Sequence, residues 1–405
     1  MAKPKIYILV NKFYIDTNLT NIFKYNEHSE TVIFARQPDW NKRKCENTSI
    51  RDVDLQQLIL YLSKIHDMDI SDKLLIDACV NVALQNQYNP VKNFVTSEIW
   101  DGIKRLPEWL IKSTGCDDNI YTRLVAEKIM IATVKRIYEP GSKFDHMLIL
   151  EGDQGIGKST LVEIMAGEFY LDTTLENKDK DLIDSIRSAV WVEFSEMAGM
   201  DKHDVDWLRS FLSRKVDRVR LSYNRLTENF PRKSVFIGTI NPSGNNMYLR
   251  DDTGNRRYWP IECRRIDLAY ARTNRSQLWA EAYKKYLDGA KYWIDEEDVE
   301  AIRILRGLHA DREIESPTTR RIRKFLIGKN ETCMDDLIGV GLGINMSAKS
   351  PSELLGIQIT IGKIMRREKW RKGNNENRDK YYAPDYDPLV TSVAPTGSAP
   401  GMWAE

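Results

Sequence analysis

Residues 151–160 read Glu151-Gly152-Asp153-Gln154-Gly155-Ile156-Gly157-Lys158-Ser159-Thr160, and this stretch decides the fold of the 405-residue chain. It contains the pattern G-x-x-x-x-G-K-[ST], with an apolar run before it at 147–150 and a helical pattern after it at 161–166. A strand, a glycine loop and a helix in that order wrap backbone N–H groups round a phosphate. The alternative is a chance glycine-rich turn, which the flanking patterns disfavour. The stretch predicts an α/β fold that binds a nucleoside triphosphate.

The motif assigns roles to individual side chains. Lys158 would contact the β- and γ-phosphates, and the Ser159 hydroxyl would be a ligand of Mg²⁺. The predicted cofactors are therefore a nucleoside triphosphate and Mg²⁺, and no motif for base contacts selects ATP over other nucleotides. The predicted nucleotide-binding residues are Gly152, Asp153, Gln154, Gly155, Ile156, Gly157, Lys158, Ser159 and Thr160.

A strand that ends in acid is the second informative feature. Residues 189–194 are apolar except for Glu193, and Ser195 and Glu196 follow. A carboxylate at such a strand end holds Mg²⁺ in many NTPases, and a following Glu polarises the attacking water. Glu196 occupies the second position, whereas Ser195 stands where an Asp is usual. Because strand residues two apart share a face, Glu193 could supply the missing charge. The predicted metal ligands are Ser159, Glu193 and Glu196, and a polar turn without function is the alternative.

Two further segments contribute candidate catalytic residues. The apolar strand at 235–240 ends in Asn241, whose amide could reach the γ-phosphate or the attacking water. Arg256 and Arg257 lie together on a polar loop. An arginine supplied across a subunit interface can raise the rate by ~10³–10⁵ because it neutralises transition-state charge. The sequence does not choose between the two arginines, and a surface salt-bridge pair is the alternative.

A cationic segment lies between the second and third apolar strands. Seven Lys and Arg occur among residues 214–233, with aromatic residues between them, and the alternating pattern predicts a hairpin that turns near Asn224. Such a hairpin could follow a single-stranded phosphate backbone, although an ordinary solvated hairpin has the same charge pattern. The predicted DNA-binding residues here are Arg218, Arg220, Tyr223 and Arg225.

Composition excludes several classes of protein. The net charge of +1 excludes a globally basic nucleic-acid binder, so that local basic clusters carry the information. The five cysteines are scattered without a C-x-x-C pair, which argues against a zinc site or a disulfide framework and for a reducing cytosol. No apolar run is long enough for a membrane helix or a signal peptide. We expect a cytosolic protein that binds no membrane.

The flanking regions have patterns of their own. Residues 1–115 predict an α/β accessory domain, with strands at 6–10 and 31–35 and two amphipathic helices after residue 50. Residues 120–137 predict a buried helix, and 116–300 a nucleotide-binding domain. Residues 301–383 are helical and basic, and a helix followed by a hairpin at 357–382 predicts a winged-helix-like domain that binds DNA through Arg366, Arg367 and Lys369. Residues 384–405 predict a disordered tail.

The order of these motifs resembles the virulence-associated protein E family of phage and mobile-element proteins. That family is related to superfamily 3 helicases and to the helicase part of poxvirus-type primase-helicases. The resemblance covers roughly residues 85–265 and includes the glycine loop, which is generic. It is also carried by Tyr88-Asn89-Pro90-Val91, by Trp100-Asp101-Gly102, by the segment from Arg136 to Asp145, by Arg218 to Arg232, and by Thr253-Gly254-Asn255-Arg256-Arg257-Tyr258-Trp259-Pro260. The last of these, and Pro140-Gly141-Ser142-Lys143-Phe144-Asp145, are specific to the family.

The resemblance implies an AAA+-type P-loop core, a homo-oligomeric ring that is often hexameric, and ATP-driven translocation on single-stranded or forked DNA. It also implies replication partners from the mobile element or its host. Two departures matter. Ser195 replaces the first acid of the strand end, and no polymerase acid triad precedes residue 100, which argues against primer synthesis.

Three functions are compatible with the sequence. The first is an ATP-dependent DNA helicase or translocase. The second is an ATP-switched replication initiator or loader that does not unwind DNA, which the basic residues from Lys363 to Lys372 favour. The third is an interaction protein with a vestigial loop, which the intact Lys158, Ser159 and Glu196 disfavour.

Overall fold

The computed structural model describes residues 5–175, 180–195, 197, 200, 202–220, 226–241, 249, 255–312, 317–373 and 379–386. The chain divides into two compact units, residues 1–313 and 314–405. Within the described residues, no helix has both the length and the apolar character needed to cross a bilayer.

The first unit begins with a small α/β region that has its own core. A three-stranded sheet in the order β2-β1-β3 packs with helices around Phe13, Phe23 and Leu58. Its elements are α1 (Ile6–Ile15), β1 (Phe23–Asn26), β2 (Thr31–Phe34), α2 (Asp52–His66), α3 (Asp72–Ala83) and β3 (Gln87–Tyr88). The next helix, α4 (Pro90–Val95), packs against the central core through Val91 and Val95. The predicted α/β accessory region is thus mixed α/β, and its predicted helices after residue 50 are α2 and α3.

The predicted strand at 6–10 is wrong, because these residues form the first half of α1. Leu9 and Phe13, four positions apart, are the buried residues of α1, whereas Tyr7 and Ile15 are exposed. A five-residue apolar run fits either a strand or one turn and a half of helix. The helical spacing becomes visible only when residues 11–15 are included.

Two helices connect this region to the central sheet. α5 (Trp109–Thr114) follows a 3₁₀ turn at Leu106–Glu108, and α6 (Ile120–Tyr138) follows α5. The Asn119 side chain accepts a hydrogen bond from the Thr122 amide at 2.9 Å and so caps α6. The predicted helix at 120–137 is confirmed, and most of its residues are buried, as its largely apolar surface indicated.

The centre of the first unit is a five-stranded parallel sheet in the order β10-β4-β9-β6-β5. It confirms the strands predicted at 147–150, 189–194 and 235–240. The elements are β4 (Met147–Glu151), α7 (Lys158–Ala166), β5 (Tyr170–Thr173), α8 (Lys180–Ile186), β6 (Trp191–Phe194), α9 (Lys202–Leu212), β7 (Val216–Val219), β8 (Glu228–Pro231), β9 (Val235–Ile240), β10 (Tyr258–Glu262), α10 (Leu268–Leu287) and α11 (Val299–Arg312). The predicted hairpin is the antiparallel pair β7–β8.

Helices cover both faces of this sheet, which explains why its central strands are apolar on both sides. On one face α6, α7, α10 and α11 pack against the sheet, and on the other α8 and α9 do so. After β4 the chain crosses to β5 at one edge of the sheet, and β6 and β9 then fill the space between β5 and β4. The last strand, β10, lies on the other side of β4, so the strand order reverses direction at β4. In parallel α/β sheets ligands bind beyond the carboxyl ends of the strands at such a switch point. The glycine loop occupies this place.

The second unit has its own small core around Ile322, Leu337, Ile361 and Met365. An antiparallel sheet in the order β11-β13-β12 packs with its helices. The elements are α12 (Pro317–Leu326), β11 (Glu331–Cys333), α13 (Met334–Asp336), a π-helical turn at Leu337–Gly341, α14 (Pro351–Arg367), β12 (Arg371–Lys372) and β13 (Lys380–Tyr382). The predicted helix followed by a hairpin is present, although α14 starts at Pro351, where Ser350 and Glu353 form a capping box.

Candidate functional site

The glycine loop connects the end of β4 to the start of α7. Gly152 leaves no room for a side chain, because a Cβ there would meet the Cys263 carbonyl oxygen at 2.5 Å. Gly157 has φ of +103°, a left-handed conformation that favours glycine, and it immediately precedes α7. The two glycines therefore allow the chain to turn tightly from the strand into the helix.

The loop carries donors that a bound anion could use. Within the described residues, the backbone N–H groups of 154–157 donate no hydrogen bond to another residue. They lie at the N-terminus of α7, where the helix dipole adds positive potential. The Lys158 ammonium donates to the carbonyl oxygens of Gly152 and Asp153, each at 2.7 Å, and so closes the loop on itself. Burial lowers the pKa of Lys158.

A cavity of about 540 Å³ opens beside this loop. Its walls come from the loop, from the start of α7 and from the ends of β6 and β9. The lining residues are Gln154, Gly155, Gly157, Lys158, Ser159, Thr160, Ser195, Thr239, Ile240 and Asn241. The structure thus brings Asn241 and Ser195 to the glycine loop, as the positions of their strands in the sequence indicated.

Glu193 is fully buried directly behind the cavity wall. Its Oε1 accepts hydrogen bonds from the hydroxyls of Ser159 and Thr239, each at 2.6 Å, and its Oε2 accepts one from Tyr170, also at 2.6 Å. Burial, followed by the hydrogen bond to Glu193, raises the pKa of Tyr170, so that the phenol stays protonated and donates. The buried Glu193 carboxylate, held by three hydroxyls, thus contacts Ser159, the residue of the glycine loop that is predicted to bind the metal.

Tyr170 and Thr239 were not among the predicted site residues. Thr239 lies within the predicted strand β9, but its contact with Glu193 needs the β6–β9 pairing, in which Glu193 stands opposite Ile237. Tyr170 opens β5, a short strand that had no clear pattern. The neighbouring β5–β6 register, with Asp172 opposite Glu193, places Tyr170 on the same face.

The donors and acceptors at this cavity suit a triphosphate with a divalent cation. Backbone amides and the Lys158 ammonium could hold phosphate oxygens, and the Ser159 hydroxyl with the Glu193 carboxylate could hold Mg²⁺ directly or through water. Asn241 could orient a water at the open side. Glu196, predicted to activate that water, lies outside the described residues.

A buried ion pair ties the base of the loop to the last helix of the first unit. The guanidinium of Arg312, on α11, lies 2.5 Å from each carboxylate oxygen of Glu151, and both residues are buried. Glu151 is the final residue of β4 and directly precedes Gly152. This pair was not predicted, since the partners are far apart in the sequence.

Arg256 and Arg257 lie near the amino ends of the sheet strands, whereas the glycine loop follows the carboxyl end of β4. They precede β10, whose first residue, Tyr258, pairs with Met147 at the start of β4. The two arginines and the loop are therefore at opposite ends of β4, which is roughly 13 Å long at ~3.3 Å per residue. Arg256 is exposed, whereas Arg257 lies 3.6 Å from Asp145 and donates to the Ser213 hydroxyl at 3.1 Å. Neither arginine is placed to act on the glycine loop of its own chain.

The hairpin β7–β8 separates its cations into two groups. Arg218 and Arg220 are exposed. Arg232 is buried and bonded to Asp217, and the Lys233 ammonium donates to the His28 carbonyl oxygen at 2.6 Å and to Glu30 at 2.8 Å. Tyr223 and Arg225 lie outside the described residues. The charge count of this segment therefore overstated its binding surface.

In the second unit, the predicted DNA-binding residues lie at the end of α14. Arg366 and Arg367 are in its last turn, and Lys369 follows it; all three are exposed. Leu355, Gln358, Ile359 and Lys363 are also exposed on this helix, whereas Ile361 and Met365 are buried. Positive residues thus continue from α14 into β12, at Arg371 and Lys372.

Comparison with known proteins gives one family match and distant structural likenesses. The model of the virulence-associated protein E-like domain matches residues 95–309. The A form apo structure of the NrS-1 C-terminal region (305–718) is 13% identical, covers 93% of this chain and 98% of that chain, and has a TM-score of 0.44. A second A form apo structure of that region is 13% identical, with coverages of 84% and 82% and a TM-score of 0.42. No curated protein sequence matches this chain.

Proposed function

The chain belongs to the virulence-associated protein E-like family, and we propose that it is an ATP-dependent DNA helicase or translocase that acts in the replication of a phage or mobile genetic element. In this proposal the parallel sheet is an AAA+-type P-loop core. Several copies assemble into a ring, and ATP hydrolysis drives movement along single-stranded or forked DNA.

The hydrogen bond between Ser159 and Glu193 is the observation that carries the proposal. It joins the glycine loop to the acid of a neighbouring strand at 2.6 Å, at the switch point of the sheet. Burial of a carboxylate is unfavourable unless hydrogen bonds compensate, and the hydroxyls of Ser159, Thr239 and Tyr170 supply them to Glu193. A phosphate-bound Mg²⁺ would neutralise charge that develops on the transferred phosphoryl group.

The remaining roles follow from position. Lys158 would exchange the carbonyl oxygens of Gly152 and Asp153 for phosphate oxygens when the nucleotide binds. Asn241, at the end of β9, would orient the attacking water, and Glu196 would accept its proton. Arg256 or Arg257 would reach the site of a neighbouring subunit.

Movement along DNA would depend on the β7–β8 hairpin. Its exposed Arg218 and Arg220 can pair with phosphates, and at its base the Arg232–Asp217 ion pair joins the two strands while Arg232 also donates to the Phe211 carbonyl oxygen of α9. A cationic element on a rigid base can transmit a change at the nucleotide site to a bound strand. Contacts to phosphates carry no sequence information, as a motor requires.

The test is ATP hydrolysis and strand separation by the purified full chain. We expect hydrolysis that depends on Mg²⁺ and is stimulated by DNA, and unwinding of 3′- or 5′-tailed forks. Lys158→Ala should abolish hydrolysis, whereas Lys73→Ala, the same change at an exposed position of α3, should not. DNA-stimulated hydrolysis without unwinding of any fork would reduce the proposal to a translocase. Absence of hydrolysis with and without DNA would refute it.

A second candidate is an ATP-switched replication initiator or loader that does not unwind DNA. The exposed face of α14 favours it, because Gln358 and Arg366 lie on that face, and such side chains can read adenine and guanine in the major groove. In that case the second unit is a winged-helix-like domain. Footprinting on duplex DNA separates the two functions: protection of one sequence favours the initiator, and equal protection of all sequences favours the motor.

A further inference from the structure

The phenol of Tyr170 holds the carboxylate oxygen of Glu193 that the glycine loop leaves free. Oε1 accepts from Ser159 and Thr239, whereas within the described residues Oε2 accepts from Tyr170 alone. We propose that Tyr170 is a positioning residue that fixes Glu193 as the acid receiving Mg²⁺, in the role that an Asp at position 195 would otherwise have. This inference rests on the proposed function, because it concerns the same nucleotide site.

The carboxylate needs such support because it is buried without a cationic partner. Glu193 is 0% exposed, and no Lys or Arg forms a salt bridge with it among the described residues. An ionised carboxylate in that environment is costly unless hydrogen bonds compensate. Three hydroxyl donors supply this compensation and keep the charge available for a metal ion.

The three donors are not equivalent when nucleotide binds. Ser159 is also a predicted metal ligand, and its oxygen could bind Mg²⁺ through a lone pair while its O–H still donates to Glu193. Thr239 and Tyr170 have no metal to bind in this proposal, and each holds one carboxylate oxygen. Without the Tyr170 hydroxyl, Oε2 has no donor within the described residues and the carboxylate can rotate about its last bond. The side chain would then no longer be oriented before the metal arrives, and orientation by hydrogen-bonding partners contributes to metal affinity.

The position of Tyr170 explains why its hydroxyl can be removed without disturbing the site. The residue opens β5, the edge strand of the sheet, and its half-buried ring packs against the core next to α7. Tyr170→Phe keeps the ring and its packing and removes one oxygen atom. The variant therefore separates the hydrogen bond to Glu193 from the structural contribution of the aromatic ring.

The experiment measures nucleotide binding as a function of Mg²⁺ concentration by the full chain, with a fluorescent ATP analogue. We expect Tyr170→Phe to raise the Mg²⁺ concentration for half-maximal binding by about tenfold or more. Its affinity for the analogue in EDTA should stay that of the wild type, since the loop amides and Lys158 are unchanged. Thr239→Val, which removes another donor to Glu193, should shift the Mg²⁺ requirement in the same direction.

Tyr61→Phe is the matched control. It removes a tyrosine hydroxyl that donates to the Asp16 carboxylate at 2.8 Å, in the accessory region, and it should leave the Mg²⁺ requirement unchanged. An unchanged Mg²⁺ requirement in Tyr170→Phe would overturn the inference, and so would an equal loss of affinity in EDTA, which indicates a purely structural role. A wild-type chain that binds no nucleotide at any Mg²⁺ concentration would refute the proposed function itself and is distinguishable from both results.

Discussion

The guanidinium of Arg232 and the carboxylate of Asp217 form a two-point ion pair at the base of the β7–β8 hairpin. Nε lies 2.6 Å from one carboxylate oxygen and Nη2 lies 2.9 Å from the other. Both side chains are almost completely buried, and the Arg232 guanidinium also stacks over the Phe211 ring at 4.1 Å. The pair fixes the two ends of the hairpin to each other and to α9. Exposed cations further along the hairpin thus project from a rigid base.

Arg232→Ala should therefore destabilise the first unit. Removing Arg232 leaves the buried Asp217 carboxylate with only the partly exposed Arg214 guanidinium, 3.7 Å away, as counter-charge, which costs up to about 3–5 kcal/mol. Urea denaturation followed by tryptophan fluorescence measures the loss. Arg218→Ala, at an exposed position of the same hairpin, should change the free energy of unfolding by less than about 0.5 kcal/mol. Equal stability of the two variants would show that the buried pair does not fix the hairpin.

The exposed cations of the hairpin should govern the salt dependence of DNA binding. Each phosphate contact to single-stranded DNA contributes about 0.7 to the slope of log K against log salt concentration. Arg218→Ala and Arg220→Ala should each reduce the magnitude of the slope by about that amount. Fluorescence anisotropy with a labelled oligonucleotide over a KCl series measures it.

Arg303→Ala provides the control for the salt series, because Arg303 is an exposed arginine on α11, away from the hairpin. It should leave the slope unchanged. If the hairpin variants also retain the wild-type slope, DNA binds at a different surface, and the exposed basic residues of α14 become the next candidates.

Most of the candidate site could be predicted from the sequence because each part is local. The glycine loop, the acid in β6 and Asn241 after β9 are short patterns, and parallel strands bring their ends together. Tyr170 and Thr239 could not be found in this way. Their meaning depends on hydrogen bonds to Glu193, 23 and 46 positions away, and on which strands are neighbours.

The number of basic residues in the hairpin segment overestimates the surface available to DNA, because some of these side chains are buried. Arg232 and Lys233 belong to the same basic run as Arg218, yet ion pairs and a backbone carbonyl occupy them. An arginine has the same charge whether it faces solvent or a buried aspartate, so its position in the sequence cannot separate the two cases. The helix α1 shows the same limit for apolar residues, because a short apolar run does not reveal its period.

His28 should make the first unit sensitive to acid. Burial, together with the nearby Lys233 ammonium, lowers the pKa of His28 to about 4 from an ordinary value of 6.5. Between these values the unfolded chain binds a proton that the folded chain does not. The neutral His28 therefore contributes nothing unfavourable above pH 6.5. As the pH falls towards 4, the free energy of unfolding decreases by about 3 kcal/mol in total because of this residue.

The measurement compares urea midpoints at pH 7 and pH 4.5. In His28→Gln the contribution of this proton is absent, so the midpoint should fall less than in the wild type. His203→Gln, a change at an exposed position of α9, should show the wild-type fall. An identical fall in all three proteins would mean that protonation of His28 does not oppose folding.

Arg256, rather than Arg257, should be the arginine that completes the site of a neighbouring subunit. Arg257 is bonded to Ser213 and lies near Asp145, whereas Arg256 is exposed at the amino ends of the strands, opposite the end that carries the glycine loop. Arg256→Ala should thus reduce hydrolysis by ~10³ or more, and Arg257→Ala by less.

A mixing experiment tests whether this arginine acts between subunits. Arg256→Ala and Lys158→Ala are each inactive, but a mixed ring contains sites with an intact loop from one and an intact arginine from the other. Random mixing in equal amounts should restore about a quarter of the wild-type rate. A mixture as inactive as its components, in rings shown by native mass measurement to exchange subunits, would exclude an arginine that acts across the interface.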